Sequence, residues 1–163
     1  MAEIADTVNA LLLEAPPAVT FRVHGEMWIG SAPPIGWAVG QHFDCLVLSA
    51  MEYPPGPVCF PKVETLAVTL NDDGSPMQKN EMAEAVRAAG KVLSWLRSGK
   101  RVLVTCHAGL NRSGLICALV LCKGGRMSPT EAVETVRSAR GPNALRNPFF
   151  LEFLEAYCSV RKA

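Results

Sequence analysis

Short apolar runs alternate with longer amphipathic stretches along the chain, and this order predicts strands that are followed by helices. Three runs with the apolar, β-branched character of strands indicate buried strands at 45–49, 64–70 and 101–105. Ahead of them, residues 20–24 and 27–29 predict a β-hairpin with its turn between the two strands. Because strands and helices alternate, the chain is expected to form an α/β fold.

The helices are predicted from apolar periodicity and from residues that favour helix ends. Between 81 and 98 the apolar residues fall on one helical stripe, and Gly99 follows as a helix-ending residue. Ser128 and Glu131 have the spacing of a capping box, with Pro129 in the first turn. The full set of predicted helices is 3–14, a short helix before residue 45, 81–98, 114–122, 128–140 and one that starts at Asn147-Pro148.

Length and composition predict a single domain. The chain has 163 residues, of which 49% are hydrophobic and 19% charged, and no break in composition divides it. The expected domain therefore covers residues 1–163, with 1–19 as an N-terminal extension or helix. No secretory signal or membrane-spanning stretch is evident, and six cysteines without framework spacing suit a reducing compartment, so a cytoplasmic location is expected.

Charge is nearly balanced overall but unevenly distributed. The net charge of +1 argues against a general nucleic-acid or membrane-surface role. Residues 1–90 hold 4 basic and 11 acidic side chains, whereas residues 91–163 hold 12 basic and 4 acidic ones. Cations of the second half are candidates for attracting a phosphorylated substrate. No metal or other cofactor is expected, because the ligand-like interval of His42 and Cys45 has no second pair.

The segment from Val102 to Gly114 carries the candidate chemistry. It reads Val-Leu-Val-Thr-Cys-His-Ala-Gly-Leu-Asn-Arg-Ser-Gly, which predicts a strand, a loop that begins at Cys106, and the start of an apolar helix. A loop in this position turns its backbone N–H groups inward at the positive end of the helix, which makes an anion site. The same field favours the thiolate of Cys106, which is the nucleophilic form of the side chain.

The residues that follow Cys106 suit a phosphate ligand. Arg112 offers a planar fork that can hold two phosphate oxygens at once, which a lysine cannot do. Ser113 lies close enough to donate a hydrogen bond to the sulfur when it leaves. Gly109 suits a tight point where a β-carbon would collide with the phosphate or demand unfavourable dihedrals. The predicted phosphate-binding residues are those of the loop itself: His107, Ala108, Gly109, Leu110, Asn111 and Arg112.

This segment resembles the signature Cys-x5-Arg-Ser/Thr of the cysteine-dependent protein tyrosine phosphatases, and the chain looks most like their small dual-specificity branch. Residues 27–32 and 139–143 are also similar to segments of that branch. The resemblance implies a central mixed, mainly parallel sheet flanked by helices, and a supporting role for Asn143 beside the phosphate loop. Thr105 departs from the family, which has at that position a histidine that braces the loop and favours the thiolate. The threonine hydroxyl can make one such bond but carries no charge.

Expelling the alcohol of a phosphate ester requires a proton, so a carboxylic acid must lie opposite the cysteine. The candidates stand after the strand at 64–70, in Leu70-Asn71-Asp72-Asp73-Gly74. A loop at the C-terminal end of such a strand opens onto the same crevice as the phosphate loop. In the branch that the chain resembles, the general acid lies on a loop of this kind, which favours Asp72, with Asp73 as the close competitor.

The resemblance implies a phosphatase that hydrolyses phosphate monoesters of protein tyrosine through a phosphocysteine intermediate, with serine and threonine esters left open. Cys106, Arg112, Asp72 and Ser113 are then the catalytic residues, and the partner is a phosphorylated protein or a small phosphomonoester. An RNA 5′-triphosphatase, or another non-protein phosphatase, is an alternative, because the resembling triphosphatases also place an asparagine at the position of Asn111. A phosphopeptide-binding module with weak turnover is the alternative of another class.

Overall fold

The computed structural model describes residues 25–33, 35–36, 38–50 and 59–162. Four strands and five helices are assigned within these residues. In chain order they are β1 (Glu26–Gly30), α1 (Ala38–His42), β2 (Cys45–Leu48), β3 (Glu64–Ala67), α2 (Lys79–Arg97), β4 (Arg101–Thr105), α3 (Arg112–Gly124), α4 (Pro129–Arg140) and α5 (Pro148–Lys162). The predicted helix 3–14 and the first strand of the predicted hairpin, 20–24, lie outside the described residues.

The four described strands form one parallel sheet in the order β1-β4-β2-β3. The α/β class and the mainly parallel sheet expected from the resemblance are confirmed for this part of the chain. The strand predicted at 64–70 ends at Ala67, although Val68 still donates to the Leu48 carbonyl at 2.9 Å. Because the strands are parallel, their C-terminal ends share one edge of the sheet, and β4 delivers Cys106 to that edge.

The two faces of the sheet bury different clusters. Val47 and Val104 point to the larger face, which is covered by α2, α3, α4 and α5. Alternate residues of the same strands, Leu46 and Leu103, point to the smaller face, where they pack with Phe43 and other apolar side chains. Helix α3 lies inside the larger cluster, and its residues 112–122 are all buried. The apolar character of this helix therefore reflects contact with neighbours on every side.

Helix ends follow the capping signals of the sequence. Ser128 and Glu131 form the predicted capping box of α4, with the Glu131 amide 3.3 Å from the Ser128 hydroxyl. At the start of α2 one carboxylate oxygen of Glu81 accepts the Gln78 amide at 2.8 Å, and the other accepts the Asn71 amide at 2.8 Å. Gly99 follows α2 with a left-handed φ of +77°. Within the described residues, no helix is both long enough and apolar enough to cross a membrane.

Candidate active site

The candidate nucleophile lies at the junction between β4 and α3. Cys106 follows the last residue of β4 and is only 3% exposed. Its sulfur lies 3.3 Å from the hydroxyl oxygen of Ser113, so the two atoms are within hydrogen-bond distance. Arg112 opens α3 and is 5% exposed, and Ser113 follows it in the same buried turn. The structure therefore brings the thiol, the hydroxyl and the first turn of α3 into one site.

The loop from Cys106 to Asn111, called here the phosphate loop, is held from outside through its carbonyl groups. The His107 carbonyl accepts the Ala32 amide at 3.2 Å, and the Leu110 carbonyl accepts the Leu145 amide at 3.1 Å. Between them, Arg140 reaches from the end of α4 to the carbonyls of Gly109 and Ala108, at 3.2 and 3.4 Å. Because the C=O and N–H of a trans peptide point in opposite directions, these bonds direct the following amides toward the loop interior, an arrangement suited to binding an anion.

Gly109 occupies the tightest point of this loop. Its φ of +69° is left-handed, so of the two reasons that the sequence offers for a glycine here the structure shows the one that concerns the dihedrals. A β-carbon built there would lie 2.4 to 2.6 Å from backbone atoms of Gly30 and Ser31. The close neighbour is thus the end of β1, so a side chain here would push the phosphate loop away from the sheet edge.

Thr105 braces the strand that carries the loop. Its hydroxyl donates to the Val47 carbonyl at 2.6 Å, while its own carbonyl accepts the amide and the hydroxyl of Ser49 at 3.0 and 2.6 Å. All of these bonds run to β2 or to the residue just after it. Thr105 therefore fixes the C-terminal end of β4 in the sheet, and its hydroxyl is used there and not on the loop that follows.

Asp72 and Asp73 are neighbours in sequence but have different surroundings. The carboxylate of Asp72 is half-buried and accepts bonds from the side-chain amides of Asn111, at 3.1 Å, and Asn147, at 2.7 Å. Asp73 is exposed and accepts the Ser75 hydroxyl and amide at 2.5 and 2.9 Å. These Ser75 bonds lower the pKa of Asp73 to about 2. Asp72 alone of the pair is joined to the phosphate loop, which favours it over Asp73 as the general acid.

The sequence does not predict Asn147 as a site residue, and the hydrogen bond that the structure gives for the Asn143 side chain runs to Arg146 and not to the phosphate loop. Asn143 is exposed and its side-chain oxygen accepts a bond from the Arg146 guanidinium at 2.9 Å, whereas the resemblance implied a bond to the phosphate loop. Asn147, four residues later, bonds Asp72 and donates its backbone amide to the Asn111 side chain at 3.1 Å. The sequence marked Asn147 as the start of a helix, but nothing in it pointed to a partner 75 positions away.

Another cysteine, Cys117 of α3, has surroundings that disfavour the thiolate form. Cys117 is buried, and desolvation, followed by an electrostatic interaction with Cys106, raises the pKa of its thiol above the usual range. Its neutral side chain serves as part of the core. Among the residues that the structure describes, no group of three or more His, Cys, Asp or Glu side chains could hold a metal ion.

Fold and loop together define a class: cysteine-based phosphatases, in which a thiol stands at the mouth of an anion-binding loop between a strand and a helix. The family model for "Dual specificity phosphatase, catalytic domain" matches residues 43–159. The chain therefore belongs to the dual specificity phosphatase family.

Known relatives support this membership. Human dual specificity phosphatase 28 is 30% identical over 144 residues, which cover 87% of this chain and 78% of that protein. Its crystal structure superposes with a TM-score of 0.71, at 27% identity, and covers 83% of this chain and 93% of that one. Human dual specificity protein phosphatase 2 is 37% identical over 70 residues, so the match spans 40% of this chain and 22% of that protein.

A third neighbour shares the fold alone. The crystal structure of PTPMT1 in complex with PI(5)P is 22% identical and has a TM-score of 0.69, covering 86% of this chain and 96% of that one.

Proposed function

We propose that this chain hydrolyses phosphate monoesters through a phosphocysteine intermediate on Cys106, with phosphotyrosine in proteins as its main substrate class. The observation that carries the proposal is the placement of the Cys106 sulfur, 3.3 Å from Ser113, at the mouth of a loop whose carbonyls are held from outside. A thiol in this field is suited to attack phosphorus.

In the first step the Cys106 thiolate attacks the phosphorus in line with the ester oxygen. The S–P bond forms as the P–O bond to the alcohol breaks, and Asp72 gives its proton to the departing oxygen. The inward amides of the phosphate loop and the guanidinium of Arg112 stabilise the charge on the three equatorial oxygens. The products are the free alcohol, a phosphocysteine and an ionised Asp72.

In the second step a water molecule takes the place of the alcohol. Asp72 accepts one of its protons while the water oxygen attacks the phosphorus, and the P–S bond breaks. The electron pair returns to the sulfur, where the Ser113 hydroxyl, 3.3 Å away, donates a hydrogen bond to the thiolate as it forms. Inorganic phosphate leaves, and both Cys106 and Asp72 are restored to their starting protonation states.

The test of this proposal is the substitution Cys106→Ser, assayed on an aryl phosphate and a phosphotyrosine peptide. Turnover should fall on the order of 10⁶-fold, comparable to removal of the nucleophile in a covalent protease. Cys59→Ser, at a half-buried cysteine in another part of the chain, is the matched control and should retain activity. Turnover by a folded Cys106→Ser protein, or failure to trap a phosphorylated adduct on wild-type Cys106, would refute the covalent scheme.

A substrate panel tests the range of esters accepted. It should compare phosphotyrosine, phosphothreonine, a phosphoinositide and 5′-triphosphate RNA. The phosphoinositide arm is included because PTPMT1, which shares this fold, was crystallised with PI(5)P. The triphosphate alternative depended on Asn111, whose side-chain oxygen and nitrogen bond Arg146, Asn147 and Asp72. Since that amide is used within the protein, we expect the phosphotyrosine arm to be the most active.

A further inference from the structure

We infer that Asn147 is a positioning residue for the acid step, holding the Asp72 carboxylate against the phosphate loop from the position just before α5. The inference rests on the proposed function, because it takes Asp72 as the group that protonates the leaving oxygen. It concerns a residue outside both the Cys-x5-Arg segment and the acid loop. Its evidence is a set of hydrogen bonds that join three parts of the chain.

The orientation of the Asn147 amide is determined by the backbone of α5. Its side-chain oxygen accepts the amides of Phe149 and Phe150, at 3.0 and 3.4 Å. Backbone N–H groups can only donate, so the oxygen of Asn147 must face them, and its NH₂ group must face the other way. That NH₂ group lies 2.7 Å from Oδ1 of Asp72, so this contact is a donated hydrogen bond to the carboxylate.

The same reasoning fixes the amide of Asn111 on the other side of Asp72. The Asn111 oxygen accepts the backbone amides of Arg146 and Asn147, at 2.8 and 3.1 Å. Its NH₂ group therefore faces Asp72 and donates to Oδ2 at 3.1 Å. Each carboxylate oxygen has one amide donor, one from the phosphate loop and one from the residue that precedes α5. Two fixed donors determine both the place and the plane of the carboxyl group.

Asn147 is itself held firmly with respect to the phosphate loop. It is 7% exposed and lies two residues after Leu145, a fully buried residue in the left-handed conformation with a φ of +51°. Arg137 donates to the carbonyls of Ala144 and Leu145, both at 3.1 Å, and the Leu145 amide bonds the phosphate loop. A non-glycine residue keeps this conformation only where its surroundings enforce it. The backbone leading into Asn147 is therefore rigid.

A general acid depends strongly on such placement. A misplacement of about 1 Å can cost about 100-fold in rate, because the proton must lie within hydrogen-bond reach of the departing oxygen. Without the NH₂ group of Asn147, Asp72 keeps one donor, and its carboxyl group can rotate about that contact. The resulting loss of kcat/KM should be large for substrates whose leaving group needs a proton and small for those whose leaving group does not.

The experiment uses Asn147→Ser in the full chain. Serine can still cap α5 but is too short to reach Asp72. We expect kcat/KM on an alkyl phosphate to fall about 10-fold to 100-fold, and kcat/KM on p-nitrophenyl phosphate to change by less than about 3-fold. Asn147→Asp also keeps the cap but has no NH₂ group to donate to Asp72, so the same selective loss is expected. The control is Ser128→Ala, which removes the cap of α4 and should leave the ratio of the two rates unchanged.

The outcomes separate this inference from the proposed function. Equal losses on both substrates, or no loss on either, would show that Asn147 does not position the acid. The double variant Asp72→Asn/Asn147→Ser gives a further check. If Asn147 acts only by positioning Asp72, kcat/KM of the double variant on the alkyl phosphate should equal that of Asp72→Asn alone. A lower value would also contradict the positioning role. Those results leave the phosphocysteine scheme intact. If wild-type protein hydrolyses neither ester, or Cys106→Ser retains activity, the proposed function fails and the inference with it.

Discussion

The phosphate loop and the loop from Asn71 to Met77, called here the acid loop, meet where Asn111 bonds Asp72, yet they are held in different ways. The phosphate loop is bonded through its carbonyls to Ala32 just after β1, to Arg140 of α4 and to the segment before α5. The acid loop is anchored at its start, by the Asn71 amide on Glu81 and by the two bonds of Asp72. Beyond that point Asp73 bonds only within its own turn.

This difference indicates how the two loops share the chemistry. Stabilising the charge on phosphate oxygens is required for every substrate, and it benefits from donors that are fixed before the substrate arrives. Protonating the leaving oxygen contributes most where the alcohol is a poor leaving group and little where its anion leaves readily. Substitutions in the phosphate loop should therefore affect all substrates alike, whereas substitutions in the acid loop should discriminate between leaving groups.

Of the substitutions that distinguish the roles of the two loops, Arg112→Lys should have the largest effect. Lysine keeps the positive charge but loses the planar fork that holds two oxygens, and a shorter reach from the buried first turn of α3 adds to the loss. We expect kcat/KM to fall about 1000-fold on both p-nitrophenyl and alkyl phosphates, by comparison with removal of one oxyanion donor. A loss confined to alkyl phosphates would contradict the division of roles, and thermal unfolding should confirm that the variant folds.

Asp72→Asn should come next and should distinguish the substrates. The amide cannot give up a proton, so hydrolysis of an alkyl phosphate is expected to fall about 100-fold or more, within the usual contribution of a general acid. On p-nitrophenyl phosphate, whose phenolate leaves readily, kcat/KM should change by less than about 5-fold. A plot of log kcat/KM against the leaving-group pKa is the measurement, and its slope should become steeper in the variant. An unchanged slope would remove Asp72 from the acid step.

Gly109→Ala should have a smaller effect, which appears in stability as well as in rate. The left-handed φ of +69° costs a side chain about 1–2 kcal/mol, and the β-carbon would also meet the Gly30 and Ser31 backbone. We expect the free energy of unfolding to fall by about 2 kcal/mol or more, with similar rate losses on both substrates. Urea denaturation gives the first quantity. Gly74→Ala is the control, because Gly74 has a φ of +84° and open space around it. Its loss of stability measures the cost of the left-handed conformation alone, without a collision.

The comparison also shows which parts of the molecule local sequence could predict. The phosphate loop is almost entirely local: strand, cysteine, glycine, arginine and apolar helix follow one another, and the structure places them as that order predicts. Capping residues such as Ser128 and Glu131 were found for the same reason. The resemblance extended this to the parallel sheet, which the structure and the family match confirm.

The remaining site contacts could not be predicted because their partners are distant in sequence. Asn147 was recognised as the start of a helix, but its bond to Asp72 depends on how α5 packs near the end of β3. Likewise Thr105 was expected to brace the loop, and only the register of β4 against β2 shows that its hydroxyl reaches Val47. A residue's own neighbours determine its local conformation, whereas tertiary packing determines which distant group it bonds.

Asp73→Asn should have the smallest effect, and it tests directly whether Asp72 or Asp73 is the general acid. Bonds from Ser75 hold the pKa of Asp73 at about 2, below the ordinary value of 3.8. Because the folded-state value lies below that of the unfolded chain, ionised Asp73 stabilises the fold above pH 3.8, and this contribution is lost as pH falls through about 2. The variant cannot ionise, so the difference in Tm between it and wild type should shrink over that window. Its leaving-group dependence should match wild type, since a group that remains ionised this far below neutral pH cannot serve as a proton donor. A selective loss on alkyl phosphates in Asp73→Asn would instead transfer the acid role from Asp72 to Asp73.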